Sequence, residues 1–316
     1  MKIGIVEHKD FSVRAIDQLQ SLGEVSFFDL QCESLAAFIS NKEILFVRLG
    51  YFIDEKVLCE AKSLKYICTP TTGLNHIDLD YVKRRNIQVI SLKGETAFLT
   101  QITATSEHTI GLVISLLRYY QRVFRCEENK DFNREVVKGH EINSSKVGIV
   151  GLGRIGTHLV DYLNVFGAIV NFYDSDIVKK NPLAIKFNSI EALIEASDII
   201  ILSASYSKKN EKMITSGMLD LMFKKYFINT SRGELVEENY LLDRVEEGHF
   251  AGVAIDVFHA EQETSNNNKR IIELARKDLN FLYTPHMGGA TMTSMIKTEL
   301  FTVQKLSRFL DKGSLI

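Results

Sequence analysis

The run KVGIVGLGRIGTHLVDYLNVFGAIVNFYD, residues 146–174, contains two apolar segments separated by three glycines and a helical pattern. The glycines are Gly151, Gly153 and Gly156, and the second apolar segment is followed at once by Asp174. Short apolar runs on either side of one amphipathic segment predict a strand, a tight turn, a helix and a second strand. The stretch therefore predicts a βαβ unit that closes on an acidic residue.

The spacing of these glycines predicts a binding site for a dinucleotide. Gly151 permits a sharp turn, Gly153 lets the backbone approach a pyrophosphate, and Gly156 lets the helix pack tightly on the strand. The unpaired N–H groups and the positive dipole end of that helix stabilise phosphates. Asp174 is placed to bind both hydroxyls of the adenosine ribose and to repel a 2′-phosphate. No arginine follows it at positions 175 and 176, so the sequence predicts NAD rather than NADP.

Length and composition are typical of a globular protein with about two domains. The 316 residues are 45% hydrophobic and 25% charged, with a formal net charge of -2. This balance gives no electrostatic case for nucleic acid or a membrane surface, and no apolar run has the length of a membrane span. The 4 cysteines show no CxxC spacing, so we expect reduced thiols, no metal site and a cytoplasmic location. The sequence opens with a predicted strand, so no signal peptide is expected.

Short apolar runs alternate with helical patterns along most of the chain. Strands are predicted at residues 3–6, 25–29, 44–48, 66–69 and 89–92 before the glycine stretch, and at 198–202, 226–230, 252–257 and 281–284 after it. Such alternation predicts parallel sheets with helices on both faces. We therefore predict an α/β protein with two doubly wound parallel-sheet domains. One is a Rossmann NAD-binding domain, and the other is a smaller, discontinuous, flavodoxin-like substrate domain.

Two helical patterns set the predicted domain boundaries. The pattern at 293–310 has no strand after it, so we expect it to return to the first domain. This assigns residues 1–100 plus 290–316 to the substrate domain and 101–289 to the NAD-binding domain. A long apolar helix is predicted from 103 to about 124, and we expect it to pack against the other domain or a second subunit of a homodimer. The polar run 261–269 is predicted to be a loop.

Three polar side chains follow predicted strands at the sheet edge where ligands bind. Arg232, Glu261 and His286 follow the strands at 226–230, 252–257 and 281–284, respectively. A histidine can take up and return a proton near neutral pH, and a neighbouring carboxylate fixes its tautomer. A guanidinium can hold a substrate carboxylate. The pattern predicts hydride transfer between a hydroxyl-bearing carbon and nicotinamide, with His286 as acid/base, Glu261 as its partner and Arg232 as the substrate clamp.

Structural interpretations compete with these assignments, since each residue alone could form a salt bridge or face solvent. His259, between Asp256 and Glu261, is the alternative to His286 as acid/base. Asp256 ends an apolar strand, so it is either functional or buried with a partner, because an unpaired carboxylate there is costly. His108 lies within a predicted helix and is interpreted as structural or solvent-facing.

Several of these segments together resemble the D-isomer-specific 2-hydroxyacid dehydrogenase family, which includes phosphoglycerate dehydrogenases. The resemblance spans nearly the whole chain. In the second domain it rests on VGIVGLGRIG at 147–156, INTSRGELV at 228–236, GVAIDVF at 252–258 and TPHMGGAT at 284–291; in the first, on Arg48, TTGLNHID at 71–78 and TATSEHT at 103–109. The order of so many separate motifs makes the resemblance far more specific than any one of them.

The resemblance implies the same three catalytic residues and adds further contacts. The implied contacts are Arg154 and Ile155 to the pyrophosphate, Thr230 beside the nicotinamide, Asp256 to its carboxamide, and the backbone of Gly73 and Leu74 to the substrate carboxylate. Arg48 is assigned to the substrate side as well. The resemblance further implies NAD as the cofactor and a small 2-hydroxy or 2-keto acid as the substrate, and family members usually dimerise through the cofactor domain.

The sequence also departs from the family pattern in places. Ser203-Ala204-Ser205 stands where many members have His-x-Pro, and no acid-proline pair follows Phe258, so the position of Glu261 is less secure. The sequence ends at Ile316, so the regulatory domain of some phosphoglycerate dehydrogenases, and control by serine through it, are not expected.

The resulting hypothesis is an NAD-dependent oxidoreductase that interconverts a D-2-hydroxy acid and its 2-keto acid, with a phosphoglycerate dehydrogenase-like activity among the options. One alternative is an NAD(H)-sensing, corepressor-like interaction protein on the same scaffold, which retention of all three catalytic residue types disfavours. Another is a formate dehydrogenase, which needs no acid/base histidine of this kind. Whether the substrate is phosphorylated stays open.

Overall fold

A computed structural model of the chain describes residues 1–125, 134–259 and 266–313. Its strands are β1 Lys2–Ile5, β2 Glu24–Phe27, β3 Ile44–Phe46, β4 Tyr66–Cys68, β5 Gln88–Ile90, β6 Lys146–Val150, β7 Ile169–Tyr173, β8 Ile185–Lys186, β9 Ile199–Leu202, β10 Tyr226–Asn229, β11 Gly252–Ile255 and β12 Phe281–Tyr283. Its helices are α1 Val13–Leu22, α2 Leu35–Ile39, α3 Glu55–Leu58, α4 Leu79–Arg84, α5 Thr96–Leu99, α6 Ala104–Leu117, α7 Tyr120–Arg125, α8 Arg154–Val165, α9 Ile190–Glu195, α10 Ser216–Asp220, α11 Glu238–Glu246, α12 Asn266–Arg276 and α13 Met292–Gly313.

The chain divides into two compact units, each built around one sheet. The first unit comprises Met1–Ile102 and Ala290–Ile316, and the second comprises Thr103–Gly289. Every strand pair in both sheets is parallel. The predicted fold class, two parallel-sheet α/β domains, is therefore confirmed.

The first unit contains the five-stranded sheet, in the order β2-β1-β3-β4-β5. This is the flavodoxin-like order. One sheet face packs on α1 and α13, with Ile3, Phe46 and Val303 fully buried in a shared core. Because α13 supplies Val303 to that core, the C-terminal segment belongs structurally with the first hundred residues.

The second unit contains the seven-stranded sheet, in the order β12-β11-β10-β9-β6-β7-β8. The chain order reverses between β6 and β9, which are neighbours in the sheet. Ligands of doubly wound sheets bind beyond the carboxyl ends of the strands at such a switch point. Gly151 follows β6 at this point and Ser203 follows β9, and the Ser203 N–H donates to the Val150 carbonyl at 2.9 Å. The glycine turn thus lies where the topology favours a ligand.

The predicted helix from 103 to about 124 is two helices, α6 and α7. Tyr119 has a left-handed φ of 52° and its N–H donates to the Leu116 carbonyl, which ends α6. The apolar residues of α6, among them Val113 and Leu116, are buried against the sheet of their own unit. The sheet of the second unit therefore accounts for most of the hydrophobicity of this helix, and no second subunit is needed to explain it.

The predicted loop at 261–269 is wrong from residue 266 onward, where α12 begins. Ile271, Leu274 and Ala275 are buried in the core of the second unit, at helical spacing. The polar run covers only the first turn of this helix, so it obscured an amphipathic pattern that starts behind it. Residues 260–265 lie outside the described residues.

Candidate active site

The glycine turn between β6 and α8 combines two glycines that the packing requires with one that leaves open space. Gly151 has a φ of 100°, in the left-handed region, and a Cβ there would lie 2.7 Å from the Ala204 nitrogen. A Cβ on Gly156 would lie 2.2 Å from the Gly151 carbonyl oxygen. Gly153, the N-cap of α8, has no atom within 4 Å of its Cβ position. The start of this helix is therefore open to a ligand beside Gly153.

Asp174 lies directly after β7 and faces the same turn. Its Oδ2 accepts the Leu152 N–H at 2.7 Å, and its Oδ1 accepts the Asp176 N–H at 2.9 Å. The Lys179 ammonium is 3.4 Å from Oδ2. Burial alone would raise the pKa of Asp174, but the two N–H donors and the ammonium hold it below its usual value. The carboxylate is thus ionised and ready to accept ribose hydroxyls.

The turn that carries Arg232 is fixed by Asn229, the last residue of β10. The buried Asn229 side chain accepts the Ser231 N–H at 3.0 Å and donates to the Arg232 carbonyl at 3.1 Å. In the part of the chain that the structure describes, the Arg232 guanidinium makes one hydrogen bond, from Nη1 to the Ser231 carbonyl. Most of its donors can therefore hold an anionic ligand.

Asp256, directly after β11, is fully buried and organises the loop after β12. Its Oδ1 accepts hydrogen bonds from the Thr284 hydroxyl at 2.5 Å and the Met287 N–H at 2.9 Å. Its Oδ2 accepts the Gly288 N–H at 2.9 Å, and its carbonyl oxygen accepts the His286 N–H at 2.8 Å. Three consecutive backbone N–H groups therefore bind one residue, and the loop wraps around Asp256.

His286 has a φ of 50°, in the left-handed region that side chains other than glycine and asparagine rarely adopt. The hydrogen bonds from His286, Met287 and Gly288 to Asp256 hold this conformation. Backbone strain of this kind clusters at functional sites. The half-buried imidazole is thereby carried on a fixed backbone beyond β12.

His108 on α6, which the sequence pattern indicated to be structural or solvent-facing, is a further member of this cluster. Its Nε2 lies 3.1 Å from the Thr284 Oγ1 and 3.3 Å from Asp256 Oδ1. Because the Thr284 hydroxyl gives its hydrogen to Asp256, Nε2 of His108 must carry the proton. Burial would raise the pKa of Asp256, but hydrogen bonds from His108, Thr284 and Gly288 bring it below its ordinary value. No local sequence signal pairs His108 with Asp256, because the two are distant in the chain.

The remaining candidates of the second unit have different surroundings. Thr230 is buried and its hydroxyl lies 2.8 Å from that of Thr109. His259, the alternative acid/base, is exposed, and its backbone N–H donates to the buried Glu238 carboxylate at 2.7 Å. Glu261 lies outside the described residues. The structure thus places Arg232 and His286 at the same sheet edge and leaves His259 at the surface.

Comparison with known proteins identifies the family. The model of the "D-isomer specific 2-hydroxyacid dehydrogenase, NAD binding domain" matches residues 110–288, more than half of the chain. The chain belongs to the D-isomer-specific 2-hydroxyacid dehydrogenase family.

Three named proteins are similar to this chain in sequence or structure. It is 27% identical to D-3-phosphoglycerate dehydrogenase of Bacillus subtilis over 93% of this chain and 55% of that enzyme. It is 32% identical to glyoxylate reductase of Thermofilum pendens over 82% of this chain and 76% of that enzyme. The structure of D-lactate dehydrogenase from Aquifex aeolicus with NAD and lactic acid superposes with a TM-score of 0.83 at 27% identity, covering 99% and 96% of the two chains. The chain thus spans only about half of the Bacillus subtilis enzyme, but nearly all of the Aquifex aeolicus one.

The cofactor of this family is NAD, and the glycine turn of this 2-hydroxyacid dehydrogenase fits it. The open space beside Gly153 gives a pyrophosphate access to the start of α8, where first-turn N–H groups have no acceptor within a helix. Burial lowers the pKa of Arg154 in that turn, so an anion beside it would be stabilising. Asp174 is an ionised acceptor of the kind that suits ribose hydroxyls. The turn and Asp174 therefore offer groups that suit the pyrophosphate and the ribose, respectively.

In the first unit, the groups assigned to substrate binding differ in whether they already have a hydrogen-bond or ion-pair partner. The Thr71 hydroxyl donates to the Gly73 carbonyl at 2.8 Å. Among the described residues, the Gly73 and Leu74 N–H groups donate to no other group, so both can bind an anion. The Arg48 guanidinium is paired with the fully buried Glu299 and also donates to the Lys9 carbonyl. The charge of Arg48 is thus already compensated within its unit.

The described ranges contain neither a metal-binding cluster nor a membrane-spanning helix. No cluster of three or more His, Cys, Asp or Glu residues suited to a metal ion occurs there. None of the helices there is both long enough and apolar enough to cross a membrane. Cys32 and Cys59 are exposed free thiols and Cys68 is a buried one, while Cys126 lies outside the described residues.

Proposed function

We propose that this protein is an NAD-dependent dehydrogenase that interconverts a D-2-hydroxy acid and its 2-keto acid. The observation that carries the proposal is the loop after β12, in which His286 is locked in a left-handed conformation around Asp256. This loop shares its sheet edge with Arg232 and with the dinucleotide turn after β6. Family membership and the structure of the NAD-bound D-lactate dehydrogenase support the same reaction class.

The proposed roles follow from the chemistry of each side chain. NAD, when bound, supplies the hydride acceptor. Arg232 binds the substrate carboxylate and polarises the adjacent oxygen. His286 removes the hydroxyl proton in the oxidation and returns it in the reduction. We assign Glu261 as the carboxylate partner that keeps the imidazole in the correct tautomer.

The proposed cofactor contacts follow the sequence assignment. They are Gly151, Gly153, Arg154, Ile155, Gly156 and Asp174 on the adenosine and pyrophosphate side, and Thr230 and Asp256 on the nicotinamide side. Within the described residues, Asp256 Oδ2 accepts a single hydrogen bond, from Gly288. Oδ2 therefore has acceptor capacity for a second donor, such as a carboxamide N–H.

We also propose substrate-binding roles for residues of the first unit. The Gly73 and Leu74 N–H groups suit its carboxylate, and Arg48 is retained as a proposed substrate-side residue even though Glu299 already pairs with it. The named relatives include a phosphoglycerate, a glyoxylate and a lactate enzyme, so the panel of test substrates must span phosphorylated and unphosphorylated acids.

An NADH-oxidation screen tests the proposed function. We expect turnover with at least one acid among glyoxylate, pyruvate, hydroxypyruvate, phenylpyruvate and 3-phosphohydroxypyruvate, and no NAD reduction with formate. The variant Arg232→Gln is expected to raise KM for that acid, because it removes the charge that binds the carboxylate. Tight NADH binding without turnover of any acid would contradict the proposal and favour an NAD(H) sensor.

We propose that the dehydrogenase is a homodimer formed through the second unit. The support is a set of exposed apolar side chains there, including Phe124, which is 80% exposed, and Val165, which is 88% exposed. Light scattering is expected to give twice the chain mass of 35.9 kDa. A monomeric mass at assay concentrations would rule the dimer out.

We also propose a cytoplasmic location for the enzyme. The exposed free thiols Cys32 and Cys59 support it, because exposed thiols persist best in a reducing compartment. Recovery of the native protein in the soluble fraction after cell breakage is expected, and recovery in a secreted fraction would contradict it.

A further inference from the structure

Lys179 lies beside the carboxylate that sets the preference for NAD over NADP. Ser175 and Asp176, which directly follow Asp174, carry no positive charge. In the structure, the Lys179 Nζ lies 3.4 Å from Asp174 Oδ2 and donates to the Leu152 carbonyl at 2.7 Å. The group that should repel a 2′-phosphate therefore has a compensating ammonium next to it.

The position of Lys179 is built into the fold. Lys186, in the edge strand β8, donates from its Nζ to the carbonyl oxygens of Asp176, Ile177 and Lys179, at 3.0, 2.8 and 3.2 Å. The Val178 N–H closes the same turn by donating to the Asp176 side chain at 3.1 Å. These bonds fix the backbone from which the Lys179 side chain reaches Asp174, and that side chain is only 36% exposed.

The chemistry of an ammonium suits a second anion at this place. An ammonium has three N–H donors, and the Leu152 carbonyl and Asp174 account for two of them. A phosphate monoester carries about two negative charges at neutral pH and binds lysine as a point charge. A ribose bound by Asp174 would bring its 2′-oxygen to this carboxylate, whose Oδ2 lies 3.4 Å from the Lys179 Nζ. Attraction by Lys179 thus opposes repulsion by Asp174.

We propose that Lys179 is a specificity-determining residue that lets the site accept NADP(H) in addition to NAD(H), by contacting the 2′-phosphate. The proposal deepens the proposed function and rests on it for any measurement of turnover. It does not rest on it for nucleotide binding, because the glycine turn and Asp174 hold the adenosine half whatever acid is turned over.

The binding test compares 5′-AMP with 2′,5′-ADP, which differ only in the 2′-phosphate, by calorimetry on the full chain. We expect both nucleotides to bind. We expect Lys179→Met to reduce the affinity for 2′,5′-ADP about tenfold more than the affinity for 5′-AMP. Lys179→Arg, which keeps the positive charge, should keep the wild-type affinity for 2′,5′-ADP. The exposed neighbour Lys180 is the matched control, and Lys180→Met should change the affinity for neither nucleotide. Equal weakening of both nucleotides by Lys179→Met, or no 2′,5′-ADP binding to the wild type, would overturn the proposal.

A double-variant cycle isolates the charge interaction. Asp174→Asn removes the repulsion and frees Lys179 from its ion pair, so it should strengthen 2′,5′-ADP binding by about tenfold, and Lys179→Met should weaken that binding more in the Asp174→Asn background than in the wild type. With a substrate in hand, the ratio of kcat/KM for NADPH to that for NADH should fall in Lys179→Met. If no acid is turned over with either nucleotide, the proposed function fails, whereas the binding cycle still decides the role of Lys179. Additive effects in the cycle would contradict that role.

Discussion

The variant His286→Asn is expected to lower kcat by about 10²–10⁴-fold, while the affinity for NADH stays nearly unchanged. The reason is the loss of the group that exchanges the substrate proton. Asparagine is the appropriate replacement because it tolerates a positive φ better than other side chains, and His286 has a φ of 50°. The backbone N–H bonds to Asp256 can therefore persist. Steady-state kcat and KM, with NADH binding followed by fluorescence, measure the effect.

The matched control is His259→Asn. His259 was the alternative acid/base in the sequence, but its side chain is exposed. Its replacement is expected to leave kcat within about twofold of the wild type, in the range of ordinary surface substitutions. Full activity of His286→Asn would remove His286 from the mechanism, and a large loss in His259→Asn would transfer the role.

The features predicted from sequence were those whose signal is local. The glycines at 151 and 156 and the acid at 174 lie within one βαβ unit, so their spacing alone indicates a strand, a turn and a helix. The strands before Arg232 and His286 could be located because buried parallel strands are short, nearly continuous apolar runs. Residues that follow such strands meet at one sheet edge. Arg232 and His286 could therefore be predicted to lie at the same edge although they are distant in the sequence.

The features that sequence could not predict depend on contacts between distant residues. His108 meets Asp256 across the fold, and Asn229 holds the carbonyl of Arg232 only because the chain turns back after β10. Lys179 was overlooked because a side chain five positions beyond Asp174 can return to it only through the turn that Lys186 stabilises. In each case the chemistry of the residue was visible in the sequence, whereas its partner was not.

Asp256→Asn is expected to lower both stability and activity. An amide in place of the carboxylate presents an NH₂ group either to the Gly288 N–H or to the Met287 N–H and the Thr284 hydroxyl, so at least one buried donor loses its acceptor. Each such loss costs about 1–3 kcal/mol, and we expect the free energy of unfolding to fall by about 3 kcal/mol. The loop that carries His286 then loses its anchor, and a small displacement of the imidazole should reduce kcat by about 10–100-fold. Urea unfolding and steady-state kinetics measure the two effects.

The pH dependence distinguishes loss of this charge from general damage. The pKa of Asp256 in the folded protein is below its ordinary value of 3.8, so its hydrogen bonds stabilise the fold above that pH and lose this effect as the pH falls through the lowered pKa. The stability difference between wild type and Asp256→Asn should therefore shrink from about pH 5 towards about pH 3. Asp198→Asn is the matched control, because Asp198 is exposed at the opposite end of the same sheet and, among the described residues, its side chain accepts one hydrogen bond, from the Lys146 N–H to Oδ2. A stability difference that stays constant with pH would show that the ionised carboxylate is not what holds the His286 loop.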